Sequence, residues 1–348
     1  MAINKRVSLK DIAQKVGVST ALVSYVLNNK KEGRINKEVA QKIRDTAKEL
    51  NYRTNLLARS LKTNKTYTIG LIVADIASPF SSGMARIIED AADKLNYTVL
   101  FGSSDENAIK FGKLVDTFLT RQVDGLIIAP PENAEDQIFR LQQQGLPFVL
   151  FDRYCPSVNT NYVALDNYTA AYNAVKYMVE SGCKRPAIVT YNSMLFHMQE
   201  RIRGYAAALK LGGIDAHKCW IKKVNNHNPK AAIEKAMQEL LSMEEPADAI
   251  LFGSNSIAVH GVKYINALPL KVPKDLSLIT FDETEALDLF YAPLTYIKQP
   301  MREMGQQVTK ILLDCIEKNN KVTQINMQAE LIVRASTKSA PVKVLATV

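Results

Sequence analysis

The chain has 348 residues, of which 47% are hydrophobic and 23% are charged, values typical of a globular protein of two or three domains and not of a disordered one. Its apolar runs are too short to cross a membrane, and its basic N-terminus has no apolar secretion segment, so we expect a cytoplasmic protein. The four cysteines are scattered without metal-binding spacing, which argues against a zinc site or a disulfide framework; we expect no cofactor.

The net charge of +9 is unevenly distributed along the chain. Residues 1–65 hold 15 of the 44 basic and 5 of the 35 acidic residues, so this segment carries +10 and the remainder carries −1. A basic head on a near-neutral body is typical of a nucleic-acid-binding protein. A solvated basic helical face is the alternative interpretation of the charge alone.

The head begins with a predicted helix-turn-helix. Ser8 and Asp11 form a capping-box pattern at the start of one helix, and Gly17 is placed to end it in the left-handed conformation. Ser19 is placed to cap a second helix, and Asn36 a third that runs to residue 50. Apolar positions at helical spacing predict a small three-helix core of Leu9, Ile12, Ala13, Val16, Leu22, Val23, Val26, Leu27, Val39, Ile43, Ala47 and Leu50.

The second helix of such a unit lies in the DNA major groove, where its early outward side chains contact base edges. Those side chains here are Thr20, Ala21, Ser24 and Tyr25. A short helical stretch at 55–62 follows, and an isolated helix of that length is unstable, so we expect it to order on DNA or against a partner chain. Leu61 is then placed to wedge into the minor groove. The alternative is that Leu56, Leu57 and Leu61 dock on the body of the protein.

The segments "SLKDIAQKVGVSTALVSYVLN" and "NLLARSLKT" resemble the head and hinge of the lac repressor family of transcription regulators. The resemblance implies a helix-turn-helix DNA-binding domain at 1–53 and a hinge helix with linker at 54–66. It implies DNA contacts by Ser8, Leu9, Ser19, Thr20, Ala21, Ser24, Tyr25, Asn28, Asn36 and Asn55, and places Ala58, Leu61 and Lys62 in or beside the minor groove. Tyr25 stands where the family usually has Arg, so a bidentate guanine contact is unavailable and a different base preference is expected.

From residue 67 onward, apolar strands alternate with amphipathic helices, which predicts an α/β fold of doubly wound parallel sheets. The first series has strands at 68–74, 98–102, 125–129 and 147–151, with helices at 81–96, 106–121 and 133–144. The second series has strands at 186–190, 220–224, 249–252 and 278–281, with helices at 167–181, 200–211, 229–241 and 256–267. Two such sheets account for a core at 67–340.

Ligands of open parallel sheets bind beyond the carboxyl ends of the strands. Those ends carry Asp75, Ser78, Phe80, Asp152, Arg153, Asn255 and Asp282. Asp282 is the sharpest candidate because its carboxylate can accept paired sugar hydroxyls; a helix-capping role is the alternative. Arg201 can clamp hydroxyls or a carboxylate, or form only a surface ion pair.

The resemblance continues through "TIGLIVADIASPF", "PFVLFDRY", "RIRGY" and "VPKDLSLITFDE". It implies a periplasmic-binding-protein-like core of two lobes, joined by crossovers near residues 165, 295 and 325, with a small-molecule effector between them. The implied effector contacts are Phe80, Ser81, Asp152, Arg201, His227, Asn255 and Asp282. His227 stands where an aromatic platform is frequent, and a surface histidine is the alternative. Ser256 stands where Asp commonly follows Asn255, and Ser81 where a second aromatic is frequent, so the usual effector classes are in doubt.

These observations predict a homodimeric repressor that binds a pseudo-palindromic double-stranded DNA operator, with an affinity switched by a sugar or sugar derivative. One alternative is a constitutive DNA-binding protein whose core only dimerises. Another is a sugar or nucleotide enzyme with an accessory head, but GxxxxGK[ST], GxSxG and HExxH patterns are absent and no GxGxxG follows a strand, so no enzyme is predicted. The tail after Arg334 has no leucine heptads, which favours a dimer over a coiled-coil tetramer.

Overall fold

The computed structural model describes residues 7–28, 34–52, 65–215, 220–225, 229–318 and 321–339. The chain divides into two compact units, Met1–Thr66 and Tyr67–Val348. The predicted hinge helix at 55–62, with Asn55, Ala58, Leu61 and Lys62, lies outside the described residues, as does His227. Among the described helices, none is both long enough and apolar enough to cross a membrane.

The first unit contains three helices: α1 (Leu9–Val16), α2 (Thr20–Leu27) and α3 (Lys37–Glu49). The predicted caps are confirmed. The Asp11 amide donates to Ser8 Oγ, and the Ser8 amide donates to Asp11 Oδ2 at 2.7 Å, which completes a capping box. Gly17 ends α1 at φ 81°, a left-handed conformation that costs glycine little, and Ser19 and Asn36 cap α2 and α3 through their side-chain oxygens.

The apolar faces of these helices pack into one small core, as their spacing predicts. Its buried hydrophobic side chains are Ile12, Ala13, Val23, Val26, Ile43 and Ala47. The other predicted inward side chains are partly buried against this group. The core therefore leaves the opposite side of α2 facing solvent.

The second unit alternates strands and helices along the chain. The first half contains β1 (Thr68–Val73), α4 (Pro79–Asp93), β2 (Thr98–Ser103), α5 (Ala108–Thr120), β3 (Gly125–Ile128), α6 (Glu135–Gln144), β4 (Phe148–Phe151) and β5 (Tyr162–Leu165). The next part contains α7 (Asn167–Glu180), β6 (Pro186–Tyr191), α8 (Phe196–Leu211), β7 (Ile221–Val224), α9 (Pro229–Leu241), β8 (Ala249–Phe252), α10 (Asn255–Ile265), β9 (Ser277–Phe281), a short 3-10 helix (Glu285–Leu289) and β10 (Thr295–Lys298). The last elements are α11 (Met301–Ile316), β11 (Gln324–Met327) and β12 (Glu330–Ile332).

These strands form two six-stranded sheets, which define two lobes. The N-lobe sheet has the order β11-β5-β4-β3-β1-β2 and is parallel throughout. The C-lobe sheet has the order β12-β10-β9-β8-β6-β7 and is parallel except for β12, which pairs antiparallel with β10. Both faces of each sheet are covered by apolar helix faces, so the central strands, such as β1, β3, β4, β8 and β9, are buried along almost their whole length. The outer strands β2, β7, β11 and β12 are partly exposed.

The chain passes between the lobes three times. It crosses after β5, between β10 and α11, and between β11 and β12. Helix α11 packs on the N-lobe sheet through Met304, Val308 and Leu312, although it follows a C-lobe strand. The crossovers bring the carboxyl ends of the parallel strands of both sheets toward one shared space.

The structure corrects several element boundaries. Helix α8 begins at Phe196 and not at residue 200, because its N-cap Leu195 makes no side-chain cap and so leaves no capping signal in the sequence. The sequence analysis also left β5, α11 and the short strands β10, β11 and β12 unassigned. Strands of three or four residues are stabilised by their sheet neighbours and carry little periodic signal of their own.

Candidate functional site

The strand ends of the two lobes line a cavity of about 560 Å³. Its wall contains the strand-end residues named from the sequence, Asp75, Ser78, Phe80, Asp152, Arg153, Asn255 and Asp282. Ser81 and Arg201 also line it, from the first turn of α4 and the second turn of α8. The structure thus brings together six of the seven residues expected to contact an effector, and the seventh, His227, is outside the described residues.

Asp152 follows β4 and is only 8% exposed. Burial raises the pKa of this carboxyl, which the nearby Arg153 and Arg201 partly oppose. The two terminal nitrogens of Arg153 donate to both carboxylate oxygens of Glu106 at 2.7 Å, and its Nε lies 3.4 Å from Asp152 Oδ2. The N-lobe therefore presents Asp152 as a buried acceptor beside a guanidinium that already has a partner.

Arg201 is 3% exposed and reaches the cavity from α8. Its Nε donates to Asn167 Oδ1 at 2.8 Å and its Nη1 donates to the Gly253 carbonyl at 2.5 Å. The guanidinium also lies 3.7 Å from the centroid of the Phe281 ring. A surface ion pair, one alternative for Arg201, is therefore wrong: the side chain is buried, orientated and turned toward the cavity.

Asp282 follows β9 in the C-lobe and accepts a hydrogen bond from Gln299 Nε2 at 2.5 Å. Burial raises the pKa of Asp282, while Arg201 and the Gln299 hydrogen bond act in the opposite direction. The helix-cap alternative is wrong, because the N-cap of the following 3-10 helix is Thr284. One carboxylate oxygen is thus held by Gln299, and the group faces the cavity.

Apart from Arg153 Nε, which lies in the ion pair with Asp152, three buried polar atoms of the cavity wall have no hydrogen-bond partner among the described residues: Asn255 Nδ2, Gln299 Oε1 and His197 Nδ1. Buried polar groups are normally paired, so these atoms are available to a ligand. Burial, with the nearby Arg153 and Arg201, lowers the pKa of His197 well below its ordinary 6.5, so its imidazole is neutral at pH 7. The wall therefore offers an amide donor, an amide acceptor and a neutral imidazole.

The sequence analysis missed His197 and Gln299, and also Tyr191, Asn192 and Glu132 in the same wall. Tyr191 and Asn192 stand at the end of β6, where the strand-end rule that selected the other residues applies equally. Gln299 lies in a crossover and His197 in an uncapped helix turn, positions that carry no comparable pattern.

The head presents a second candidate surface on α2. Thr20, Ala21 and Asn28 are exposed, Tyr25 is 37% exposed, and Ser24 is half-buried. Their spacing along α2 places them on one side of the helix. The Asn28 Nδ2 group donates to the Ser24 carbonyl at 2.7 Å.

The remaining described residues of the expected DNA-contact set lie at helix N-termini. Ser8, Ser19 and Asn36 are exposed and act as caps. Leu9 is half-buried against the head core.

Comparisons with known proteins match stretches of both units. The model of bacterial regulatory proteins, lacI family, matches residues 8–55, and that of a periplasmic binding protein-like domain matches residues 175–337. The HTH-type transcriptional repressor CytR of Escherichia coli (strain K12) is 32% identical over 335 residues, covering 96% of this chain and 97% of that protein. Catabolite control protein A of Priestia megaterium is 30% identical over 337 residues, with coverages of 95% and 99%.

Solved structures show the same architecture. A lac repressor dimer bound to operator and the anti-inducer ONPF matches with a TM-score of 0.85 at 22% identity, over 96% of this chain and 100% of that one. A putative ribose operon repressor from Burkholderia thailandensis matches with a TM-score of 0.70 at 26% identity, over 76% and 98%. Since the full-length sequence match to CytR spans both the three-helix head and the two-lobed body, the chain belongs to the lacI family of bacterial regulatory proteins, DNA-binding transcriptional repressors that respond to small-molecule effectors.

Proposed function

We propose that the chain acts in the cytoplasm as a homodimeric repressor of a pseudo-palindromic operator, and that a neutral polyhydroxylated effector, a sugar or sugar derivative, sets its DNA affinity. In this proposal residues 1–53 read DNA, residues 54–66 form the hinge, and residues 67–340 bind the effector and dimerise. The two heads of the dimer occupy successive major grooves, and the hinge segments open the minor groove between them.

The shape and charge of the head suit DNA binding. The packed three-helix core leaves Thr20, Ala21, Ser24 and Tyr25 on the outer side of α2, the helix that enters the groove in this motif. The first 65 residues carry +10, which suits a phosphate backbone. The exposed N-termini of the three helices add backbone amides that favour phosphate oxygens.

The charge of the cavity wall favours a neutral effector. Six carboxylates line its described wall (Asp75, Asp105, Glu106, Glu132, Asp152 and Asp282), against two guanidiniums, one of which is paired with Glu106. An excess of acceptors disfavours an anionic ligand and favours one rich in hydroxyl donors. The observation that carries the proposal is the convergence of Asp282, Arg201 and Asn255 on one polar cavity of about 560 Å³, a size suited to a small ligand.

A ligand that contacts both lobes can couple to DNA binding. Asp152 belongs to the N-lobe and Arg201 to the C-lobe, and the two influence each other electrostatically, but no ion pair joins them in the described part of the chain. A hydroxylated ligand between them would contact both and favour one lobe arrangement. The coupling cannot exceed the difference in affinity between the two arrangements, typically about 1–3 kcal/mol.

The test uses the full-length protein in two steps. Genomic DNA fragments retained by the protein define an operator, and calorimetry with neutral sugars, nucleosides and sugar phosphates measures effector binding. Fluorescence anisotropy then measures operator affinity with each ligand that binds. Saturable binding of a neutral sugar that changes operator affinity about 5- to 150-fold supports the proposal. Exclusive binding of anionic ligands contradicts the effector class, and DNA binding that no ligand alters favours the constitutive alternative.

A further inference from the structure

A carboxylate of the N-lobe contacts the C-lobe directly at the cavity wall. Glu132 lies between β3 and α6 of the N-lobe, whereas Ser193 and Met194 lie between β6 and α8 of the C-lobe. Glu132 Oε1 accepts from Ser193 Oγ at 2.5 Å and from the Met194 amide at 2.6 Å. A single carboxylate oxygen of one lobe is thus held by two donors of the other.

The C-lobe half of this contact is organised by its own hydrogen bonds. Ser193 Oγ accepts from the Leu195 amide at 3.1 Å, which leaves its hydroxyl proton directed to Glu132. Gln199 Nε2 donates to the Ser193 carbonyl and holds the loop to the next turn of α8. Helix α8 starts at Phe196 without a side-chain cap, so the Glu132 carboxylate, bound to the two residues Ser193 and Met194 ahead of the helix, also interacts favourably with its positive end.

The same end of α8 makes a second contact with the N-lobe. The Tyr154 ring, which follows β4, lies 5.1 Å from the Phe196 ring between centroids and is tilted by 58°. Directly after these contact residues, α8 carries His197 and Arg201, which line the cavity. The position of this helix end relative to the N-lobe therefore decides how the two cavity walls face each other.

We infer that Glu132 is a positioning residue that holds the lobes together across the cavity before any effector binds. This inference rests on the proposed function, in which the effector lies between the lobes. Glu132 and Ser193 are half-buried, so water can replace the contact and the lobes can separate reversibly. The Glu132 carboxylate thereby sets the fraction of ligand-free molecules whose lobes are closed. That fraction determines the apparent effector affinity and the change in operator affinity that effector binding can cause.

The experiment measures the distance between lobes in full-length protein without ligand. Spin labels on unnatural amino acids replace the exposed Gln143 in α6 and Lys235 in α9, and pulsed electron paramagnetic resonance records the distance distribution. Loss of two charge-assisted hydrogen bonds in Glu132→Ala should lower the ratio of short to long distances about tenfold. Ser193→Ala, which removes one donor and leaves the Met194 amide, should cause a smaller shift.

Glu135→Ala is the matched control, because it removes a nearby exposed carboxylate on α6 and should leave the distances unchanged. Thermal unfolding confirms that each variant is folded. A folded Glu132→Ala protein with the wild-type distance distribution would overturn the inference, as would an equal shift in Glu135→Ala. Since no effector is present, this result is independent of whether the sugar proposal succeeds in calorimetry.

Discussion

Asp152 and Asp282 occupy matching positions in opposite lobes: each follows a Phe that ends a buried strand, and each has a left-handed backbone, with φ of 62° and 68°. The Asp152 amide donates to Val163 of the neighbouring strand at 2.9 Å, and the Asp282 amide donates to the Ile297 carbonyl at 3.1 Å. A left-handed non-glycine residue is uncommon and costs free energy, and four of them line this cavity: Asp105, Glu106, Asp152 and Asp282. This concentration at one cavity indicates a functional constraint. The N-lobe thus presents the buried Asp152 to the shared space, and the C-lobe presents the half-buried Asp282.

The Asp282→Asn variant should bind effector about 100-fold more weakly, because hydroxyl donors lose a charged acceptor, while operator binding without effector is unchanged. Calorimetry and operator anisotropy measure the two affinities. Asp282→Ala should show the same loss of response. A variant that still responds to effector at the wild-type concentration would remove Asp282 from the site.

The Asp282→Asn substitution should also stabilise the ligand-free protein at pH 7. Burial raises the pKa of Asp282 above its ordinary 3.8, so the charged form costs stability above the raised pKa, and this cost disappears as the pH falls below 3.8. Asn keeps an acceptor for Gln299 without the charge. Its Tm should exceed that of the wild type by about 2 °C at pH 7, and the two should converge near pH 4.

His197→Gln should flatten the acid side of the stability profile. Burial holds the pKa of His197 well below 6.5. Below pH 6.5 the unfolded chain therefore binds a proton that the folded chain excludes, and the free energy of unfolding decreases as the pH is lowered. One such group contributes a slope of up to about 1.4 kcal/mol per pH unit. Denaturant unfolding between pH 7 and 5 measures it. His260→Gln is the control, since His260 is half-exposed and should contribute less.

Arg201→Lys should lower both stability and effector affinity. An ammonium cannot bond Asn167 and Gly253 in the same fork or cover the Phe281 ring, so about 2–3 kcal/mol of stability should be lost. Arg203→Lys in the same helix is the control: its guanidinium lies 3.9 Å from the Tyr168 centroid but its side chain is 61% exposed, and the change should be nearly neutral. Equal effects of the two substitutions would contradict the special position of Arg201.

Tyr25→Arg should change which operator bases are preferred. An Arg at this exposed position of α2 can donate two hydrogen bonds to guanine and favour it by about 1–3 kcal/mol at one position of each half-site. Selection from a randomised operator library measures the preference. Gln14→Arg, which adds the same charge on the exposed surface of α1, should raise affinity for all sequences alike. If Gln14→Arg also changed the preferred operator bases, the effect of Tyr25→Arg would be due to the added charge and not to a base contact.

Operator binding should weaken steeply with salt. If the two heads and hinges of a dimer neutralise about 6–10 phosphates, affinity should fall about 1000-fold or more between about 50 and 200 mM salt. Anisotropy titrations at four salt concentrations give the slope. A shallow slope, equivalent to one or two phosphates, would contradict a dimer with both heads in the grooves.

Local features of this protein were determined by the sequence alone, because they depend on residues three or four positions apart. The Ser8–Asp11 capping box, the left-handed Gly17 and the helical spacing around Ile12 are of this kind, and the structure confirms them. Alternating apolar segments likewise predicted most strands of the two sheets, and the carboxyl-end rule identified Asp152 and Asp282 as cavity residues.

The tertiary structure decided which distant residues meet. Glu132 and Ser193 are 61 residues apart, Arg201 and Asn167 are 34 apart, and no periodic pattern encodes either pair. The short strands β10 to β12 and the uncapped start of α8 were also invisible, because sheet pairing and packing stabilise them and not their own propensity. The crossovers that connect the lobes are far apart in the chain, so the geometry of the cavity emerges only when both sheets have formed.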